Sequence, residues 1–279
     1  MDIIRASVLG FCGGVRHAVA MLEDASHQFG TIYTLHEIVH NAHVMDRLRE
    51  KGVILVNSLS KIPDGATVAL TAHGAPLSLI AGIQARHLNL IDATCPIVAD
   101  AQRRVAENSK SGRFTIIFGD SQHLEVRSLL SHASAGAIAA ESMEGLAIPS
   151  EGRLGLVAQT TKAPEALQAF ACDLRAQLPD KTDLVIQDTT CPEPLARYRA
   201  ARKLATDVDA IIVVGGSMSA NSRNLHAVCR ESGKPAFFLE SADEIDRSTI
   251  ATYRRIGLTA GASTPDWVID SVEQRLRQL

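Results

Sequence analysis

The stretch NLIDATCPIVADAQRRVAENSKSG, residues 89–112, contains a short strand-like run, Cys95 and a helical segment in immediate succession. Pro96 suits the first position of that helix, because the N–H that proline lacks would have no intrahelical partner there. The same order recurs in two other places, at residues 2–30 around Cys12 and at residues 182–207 around Cys191. A sequence of strand, cysteine and helix that occurs three times predicts a fold made of three comparable α/β blocks.

Strand-like and helical segments alternate along the whole chain, which predicts an α/β protein with mainly parallel sheets covered on both faces. The expected strands lie near residues 2–9, 31–35, 53–56, 67–71, 89–92, 114–118, 136–140, 154–158, 184–187, 210–214, 235–239 and 255–259. The expected helices lie near residues 14–28, 41–50, 76–86, 96–110, 123–131, 163–177, 193–206, 220–232 and 265–278. The cysteine turns divide the chain into three expected domains: 13–95, 96–190, and 191–279 completed by residues 1–12.

The composition is that of an ordinary α/β enzyme, since the 279 residues are 46% hydrophobic and 21% charged, with a net charge of −3. Basic residues form no long run, which disfavours a nucleic-acid partner. No apolar run approaches the roughly 20 residues that span a bilayer, and the first residues have the character of a strand rather than of a secretion signal. We therefore expect a cytoplasmic protein that binds neither nucleic acid nor membrane.

The three repeated cysteines are candidate metal ligands. A thiol at a helix N-terminus lies beside unpaired backbone N–H groups and the positive end of the helix dipole, so its thiolate form is favoured. We expect Cys12, Cys95 and Cys191 to meet at a single cofactor. The alternative is that a cysteine is simply a small buried apolar residue. Cys229 fits that alternative, and Cys172 has no supporting motif.

Polar residues follow six of the predicted strands, where ligands of open α/β sheets bind. Any one of them has a simpler explanation, because a single histidine is commonly structural and a Ser/Asn loop before a helix is commonly a cap. Together they indicate an anionic ligand, since hydroxyls, amides and helix N-termini bind phosphate oxygens well. Neither a Walker A motif nor a Rossmann glycine motif occurs. The residues are His36, His40, His73, His123, Glu125, Thr160, Thr161, Ser217, Ser219, Asn221 and Ser263.

The spacing of the cysteines limits the choice of metal. Separations of 83 and 96 residues do not match the close pairs of zinc ribbons or bacterial ferredoxins. One [4Fe–4S] cluster held by three thiolates fits better, because its fourth iron is left open to bind a substrate oxygen. Glu125 is then the best candidate for a proton donor, since removal of a hydroxyl group requires protons. The alternative for Glu125 is an exposed carboxylate at a helix start.

Eight motifs in order give the chain a family resemblance: GFCGGV, HEIVHN, TAHG, DATCP, HLEV, AQTT, GGSMSANS and TAGASTPD. The chain resembles the LytB/IspH family of 4-hydroxy-3-methylbut-2-enyl diphosphate reductases along nearly its whole length. The resemblance implies three similar α/β domains in a pseudo-threefold, trefoil arrangement around a central iron–sulfur site. It also implies conversion of an allylic alcohol diphosphate to isopentenyl and dimethylallyl diphosphate in the non-mevalonate pathway of isoprenoid synthesis.

The resemblance also implies roles for individual residues. The cluster ligands would be Cys12, Cys95 and Cys191. The residues that hold the diphosphate would be His40, His73, Ser219, Asn221 and Ser263. Glu125 would relay protons, with His123 and Thr160 beside the substrate hydroxyl. Two electrons would come from a small donor similar to ferredoxin or flavodoxin.

Three residues depart from the family pattern on the substrate side. Pro194 replaces a threonine after the third cysteine, Ala220 replaces a serine, and Leu124 replaces a proline. These departures leave open a paralogous iron–sulfur reductase with a different hydroxylated or unsaturated substrate. Two further functions also stay open, namely a cluster-bearing sensor without turnover and a zinc hydrolase with Cys/His ligands.

Overall fold

The computed structural model describes residues 1–149 and 152–279, which form three four-stranded sheets built from parallel strand pairs. The prediction of an α/β fold with mainly parallel sheets is confirmed. The chain divides into two compact units. Unit 1 comprises residues 1–27, 37–53 and 192–279, and unit 2 comprises residues 28–36 and 54–191. The expected division into three domains remains a prediction.

Unit 1 contains one sheet, with strand order β1-β12-β10-β11. Its strands are β1 (Asp2–Arg5), β10 (Ala210–Val214), β11 (Ala236–Leu239) and β12 (Arg255–Ala260). Its helices are α1 (Gly13–Phe29, of which the last two residues belong to unit 2), α2 (Ala42–Glu50), α7 (Pro192–Ala205), α8 (Ala220–Glu231), α9 (Arg247–Ile250) and α10 (Asp266–Arg277).

The two faces of this sheet are both buried, which explains the uninterrupted apolar run AIIVV in β10. Side chains alternate across the strand, so Ile211 and Val213 lie in the core with α7 and α8, whereas Ile212 and Val214 lie in the core with α10. All four side chains are completely buried. Helices on both faces leave the ends of the strands as the accessible part of the sheet.

Unit 2 contains two sheets, with strand orders β3-β2-β4-β5 and β7-β6-β8-β9. The first is made of β2 (Ile32–Thr34), β3 (Val53–Leu55), β4 (Thr67–Leu70) and β5 (Asn89–Asp92). The second is made of β6 (Arg113–Phe118), β7 (Ala137–Ala140), β8 (Arg153–Ala158) and β9 (Asp183–Ile186). The helices are α3 (Leu77–Ala85), α4 (Pro96–Lys110), α5 (Leu124–Ser131) and α6 (Pro164–Gln177).

All twelve predicted strands and all nine predicted helices occur in the described residues, with small differences at their ends. The largest error is in β1, which was expected to reach residue 9 but ends at Arg5. Ala6 still donates its N–H to Leu258, and the chain then leaves the sheet toward Gly10, whose φ of +75° turns the backbone. The short helix α9 was not predicted; Asp246 caps it by accepting the Ser248 N–H.

None of the helices in the described residues has both the length and the apolar character needed to span a bilayer.

Candidate functional site

The three repeated cysteines occupy the same backbone position relative to their sheets. Strands β1, β5 and β9 are edge strands, and the cysteine that follows each donates its N–H to the carbonyl two residues beyond the neighbouring strand. The bonds join Cys12 to Ala262, Cys95 to Ala72 and Cys191 to Thr160, with N···O distances of 3.0, 3.0 and 2.7 Å. Helices α1, α4 and α7 each begin at the residue after the cysteine. Each thiol is half-buried at a helix N-terminus.

The turns before the second and third cysteines are built identically. Asp92 Oδ1 accepts hydrogen bonds from the backbone N–H of Thr94, at 3.0 Å, and from its hydroxyl. Asp188 Oδ1 accepts the same pair from Thr190, at 2.8 and 2.6 Å. Each aspartate therefore fixes the two residues that precede a thiol.

The turn before the first cysteine is different. The carbonyl of Gly10 accepts a hydrogen bond from the buried Arg197 guanidinium at 2.8 Å. On the other side of the turn, the Val15 N–H of α1 donates to Cys12 Sγ at 3.5 Å. A backbone N–H directed at the sulfur and the start of a helix both favour the thiolate.

In unit 2, an unbroken series of contacts begins at the second cysteine. Ala72, which accepts the Cys95 N–H, is followed directly by His73. The rings of His73 and His123 pack edge to face, with centroids 5.4 Å apart and an interplanar angle of 84°. His123 is the N-cap of α5, because its Nδ1 accepts the Glu125 N–H at 3.2 Å. With Nδ1 as the acceptor, the neutral ring carries its proton on Nε2.

The series continues from Glu125 to the third cysteine. The Thr160 N–H donates to Glu125 Oε1 at 2.6 Å, and the Thr160 hydroxyl donates to Oε2 at 3.0 Å. The Thr160 carbonyl in turn accepts the Cys191 N–H. Two cysteines, two histidines, a carboxyl group and a threonine therefore lie along one connected path in this unit.

The carboxyl group of Glu125 is 1% exposed, so the alternative of an exposed helix-start carboxylate is wrong. Burial raises the pKa of Glu125 to about 7, although the two hydrogen bonds from Thr160 act in the opposite direction. A carboxyl group with a pKa near neutrality is present in both protonation states at physiological pH. It can therefore give and regain a proton, as a general acid requires.

In unit 1, the Ser263 and Ser219 loops follow neighbouring strands of one sheet. Ser263 comes directly after Ala262, the acceptor of the Cys12 N–H, and its buried hydroxyl has no hydrogen-bond partner within residues 1–149 and 152–279. Ser219 is the N-cap of α8, and Asn221 is the second residue of that helix. A buried hydroxyl without a partner and a helix N-terminus are both suited to an anionic oxygen.

Glycines bring the loops of unit 1 into close contact. A Cβ atom at Gly216 would lie 3.0 Å from the His40 carbonyl, so the Ser219 loop packs directly against the His40 segment. A Cβ atom at Gly261 would lie 2.0 Å from Ser222 Oγ, which joins the Ser263 loop to the start of α8. The imidazole of His40 is about half exposed, with Nδ1 3.2 Å from a Glu37 carboxylate oxygen.

The expected meeting of the three sulfurs remains a prediction. Cys12 belongs to unit 1, whereas Cys95 and Cys191 belong to unit 2. Among the residues that the structure describes, no group of three or more His, Cys, Asp or Glu side chains is arranged to hold a metal ion.

The two remaining cysteines behave as ordinary side chains. Cys229 is a buried core residue of unit 1, and burial raises the pKa of its thiol to about 11, which confirms its interpretation as a small apolar residue. Cys172 lies exposed on α6.

The residues that hold the candidate site residues in place were not predicted from the sequence. The aspartates of the two matching turns, Asp92 and Asp188, could have been found, because the pattern Asp-x-Thr-Cys-Pro occurs twice. Gln159 gave no such signal; it is 4% exposed and its Oε1 accepts the Asp120 N–H at 3.1 Å. Thr71, whose hydroxyl accepts the His73 N–H at 3.3 Å, was also missed.

Comparison with known proteins gives consistent results over the full chain. A family model described as LytB protein matches residues 3–277. A protein of Geobacter sulfurreducens named 4-hydroxy-3-methylbut-2-enyl diphosphate reductase is 35% identical, covering 100% of this chain and 98% of the relative. A protein of Pectobacterium carotovorum with the same name is 36% identical, covering 100% and 90%.

Two solved structures are similar in fold. One, described as (E)-4-hydroxy-3-methyl-but-2-enyl diphosphate reductase, the terminal enzyme of the non-mevalonate pathway, is 31% identical with a TM-score of 0.83, covering 100% of this chain and 99% of that one. The other, described as the E-1-hydroxy-2-methyl-but-2-enyl-4-diphosphate reductase of Plasmodium falciparum, is 27% identical with a TM-score of 0.86, covering 98% and 87%.

Proposed function

The chain belongs to the LytB family, and from this premise we propose that it is the reductase that removes the hydroxyl group of 4-hydroxy-3-methylbut-2-enyl diphosphate. The products are isopentenyl and dimethylallyl diphosphate, the precursors of isoprenoids. Loss of the hydroxyl as water consumes two electrons and two protons, one proton for the departing oxygen and one for carbon. The observation that carries the proposal is the buried Glu125 carboxyl group, which accepts two hydrogen bonds from Thr160, while the backbone N–H of Glu125 donates to His123.

The residues present fit an iron–sulfur cluster held by three thiolates. Cys12, Cys95 and Cys191 share one backbone setting, each half-buried at a helix N-terminus, and a backbone N–H reaches the sulfur of Cys12. Sulfur ligands of this kind suit iron–sulfur clusters. When bound, a [4Fe–4S] cluster with one open iron supplies electrons and a Lewis acid for the substrate hydroxyl.

Glu125 supplies protons to the reaction. Its pKa of about 7 keeps a fraction of the carboxyl groups protonated at neutral pH, so a proton is held close to the Thr160 hydroxyl. Thr160 can pass this proton on, because its hydroxyl both donates and accepts hydrogen bonds. The burial that raises the pKa also excludes water, so bulk solvent does not compete for the proton.

The diphosphate is held by hydroxyl, amide and imidazole groups rather than by a lysine or arginine cluster. The proposed contacts are His40, His73, Ser219, Asn221 and Ser263. The Ser263 hydroxyl, which has no hydrogen-bond partner among the described residues, and the N-terminus of α8 at Ser219 support this assignment. Two electrons per turnover come from a small carrier similar to ferredoxin or flavodoxin, and the enzyme works in the cytoplasm.

A paralogous reductase with another substrate is the second candidate. Ala220 and Leu124 are the first residues of α8 and α5, immediately after Ser219 and His123, so both departures adjoin assigned substrate contacts. Pro194 lies in the first turn of α7, which follows the third cysteine. Pro194 and Ala220 each lack a hydroxyl group that the family pattern has, and Leu124 is more flexible than the proline that it replaces.

The test is an anaerobic assay in which turnover and metal content are measured on the same preparation. The proposal predicts about four irons per chain and conversion of 4-hydroxy-3-methylbut-2-enyl diphosphate with a reduced dye as electron source. Full iron and sulfide without turnover of that compound would favour the paralogue. One zinc with neither iron nor sulfide would favour the hydrolase.

A further inference from the structure

The loop after β4 is hydrogen-bonded to α5 at two points. The Ser128 hydroxyl of α5 donates to the carbonyl of Ala75 at 3.0 Å. The N–H of Leu77 donates to the hydroxyl of Ser131 at 3.0 Å. The loop follows a strand of one sheet of unit 2 and α5 follows a strand of the other, so these bonds connect segments that extend from the two sheets.

A side chain from α4 completes the contact. Gln102 Nε2 donates to Ser128 Oγ at 2.7 Å, and the Ser131 hydroxyl donates to the Ser128 carbonyl at 2.6 Å. Ser128 is completely buried, so water cannot replace these partners when one is removed. We refer to Ala75, Leu77, Gln102, Ser128 and Ser131 together as the Ser128 clasp.

Gly74, the residue after His73, lies directly against the clasp. Its φ is +73°, and a Cβ atom there would lie 2.3 Å from Gln102 Nε2 and 3.2 Å from Ser128 Oγ. Such close packing transmits a shift of α5 to the loop rather than absorbing it. Since His123 is the cap of α5, the clasp connects the backbones that carry the two histidines.

We propose that the Ser128 clasp is a positioning device that holds the imidazole of His73 edge-on to that of His123. Ser128 and Gln102 thereby act on substrate binding without touching the substrate. The inference rests on the proposed function, in which His73 holds the diphosphate and His123 lies beside the hydroxyl. The clasp explains why two side chains from separate sheets keep a centroid distance of 5.4 Å.

The first test measures the NMR resonances of the His73 imidazole. The anaerobically purified full-length protein is labelled on histidine, and the imidazole resonances of His73 are identified from the H73Q variant. We expect Ser128→Ala to shift these resonances. The matched control is Ser26→Ala, which removes another buried serine hydroxyl bonded to a backbone carbonyl, that of Glu23 at 2.7 Å. The control should leave the His73 resonances unchanged.

The second test is a double-mutant cycle on the proposed reaction. Ser128→Ala should lower kcat/KM about tenfold, mainly through KM, with iron content equal to that of the wild type. In the H73Q background the same substitution should change kcat/KM by less than about twofold, because its effect passes through His73. A general folding defect would instead lower iron content and act equally in both backgrounds.

Unchanged His73 resonances in S128A, or equal losses in the two backgrounds, would overturn the inference. If the wild type does not turn over the substrate, the proposed function fails, and the resonance measurement alone decides on the clasp. If S128A does not fold, Gln102→Met replaces it in both tests, since it removes the donor to Ser128 and keeps the length of the side chain.

Discussion

The Glu125 carboxyl group and Thr160 are joined by two hydrogen bonds, one from the backbone at 2.6 Å and one from the hydroxyl at 3.0 Å. The same threonine accepts the Cys191 N–H through its carbonyl. The position of the proposed proton donor and the position of one proposed cluster ligand are therefore set by a single residue of the loop after β8.

Replacement of Glu125 by glutamine keeps the shape of the side chain and removes its acidity. We expect kcat to fall by about 10²–10⁴-fold while iron and sulfide contents stay at wild-type values. The control is Glu165→Gln, an exposed carboxylate in the first turn of α6. Steady-state turnover and metal analysis check both variants. A cluster-bearing sensor would behave otherwise, because E125Q would keep its full response to ligand.

The raised pKa of Glu125 makes stability depend on pH. Between its ordinary value of 4.5 and about 7, the folded protein keeps a proton that the unfolded chain has lost. The free energy of unfolding therefore falls as pH rises through this interval, by roughly 3 kcal/mol in total.

Below this interval both states are protonated, so the stabilisation is fully present. Urea denaturation at about pH 5 and about pH 8 should show the loss in the wild type and a smaller loss in E125Q. An identical pH dependence in the two proteins would mean that Glu125 titrates normally.

The single tryptophan of the chain, Trp267, reports on the first cysteine. Its ring lies 6.1 Å from that of Phe11, the residue before Cys12. Iron–sulfur clusters absorb in the range where tryptophan emits, so a cluster bound through Cys12 should quench the fluorescence. Removal of iron by a chelator should restore the emission. Emission that stays constant while iron is lost would argue against a cluster at this cysteine.

The matching turns before Cys95 and Cys191 should stabilise the cluster. Asp92→Ala and Asp188→Ala remove the acceptor that fixes each turn, and we expect cluster retention under chelator to weaken about tenfold. Asp246→Ala is the matched control, because Asp246 accepts the Ser248 N–H and hydroxyl at 3.0 and 2.7 Å in the same geometry beside no cysteine. Similar cluster half-lives in all three variants would refute this role.

Gly74 and Gly112 provide a matched pair for the packing around the Ser128 clasp. Both have positive φ, at +73° and +66°, but a Cβ atom at Gly112 would meet no atom within 4 Å. Alanine at either position carries the backbone strain, of order 1–3 kcal/mol. The G74A variant should lose more free energy of unfolding than G112A, because it also displaces Gln102. Equal losses would show that the contact with Gln102 is easily relieved.

The strands and helices could be predicted because a strand that is buried on both faces has apolar residues at successive positions. The run AIIVV of β10 is apolar at every position, since Ile211 and Ile212 enter cores on opposite faces. The cysteine turns could also be predicted. Each joins a strand to a helix within a few residues, so the residues of that short segment are enough to indicate the turn.

Long-range pairing could not be predicted from such local signals. The cysteine turns suggested that residues 1–12 complete the 191–279 block, but nothing in β1 singles out β12 within that block or fixes the Asp2–Arg255 register. The burial of Glu125 was not predicted for the same reason, because its partner Thr160 lies in the loop after β8, whereas α5 follows β6. The Ser128 clasp could not be predicted either. Ser128 and Gln102 lie on different helices, and neither position is distinctive in the sequence, so their hydrogen bond follows only from the packing of the two helices.

The N–H of Cys12 is bonded to a carbonyl that lies 250 residues later in the chain, whereas Cys95 and Cys191 bond to residues that precede them by 23 and 31. A ribosome therefore releases the first thiol long before the backbone that anchors it has been made. The carbonyl groups that accept the N–H of Cys95 and of Cys191 are synthesised before those cysteines. The cysteine that is translated earliest is therefore the one whose backbone setting is completed last, because that setting requires Ala262.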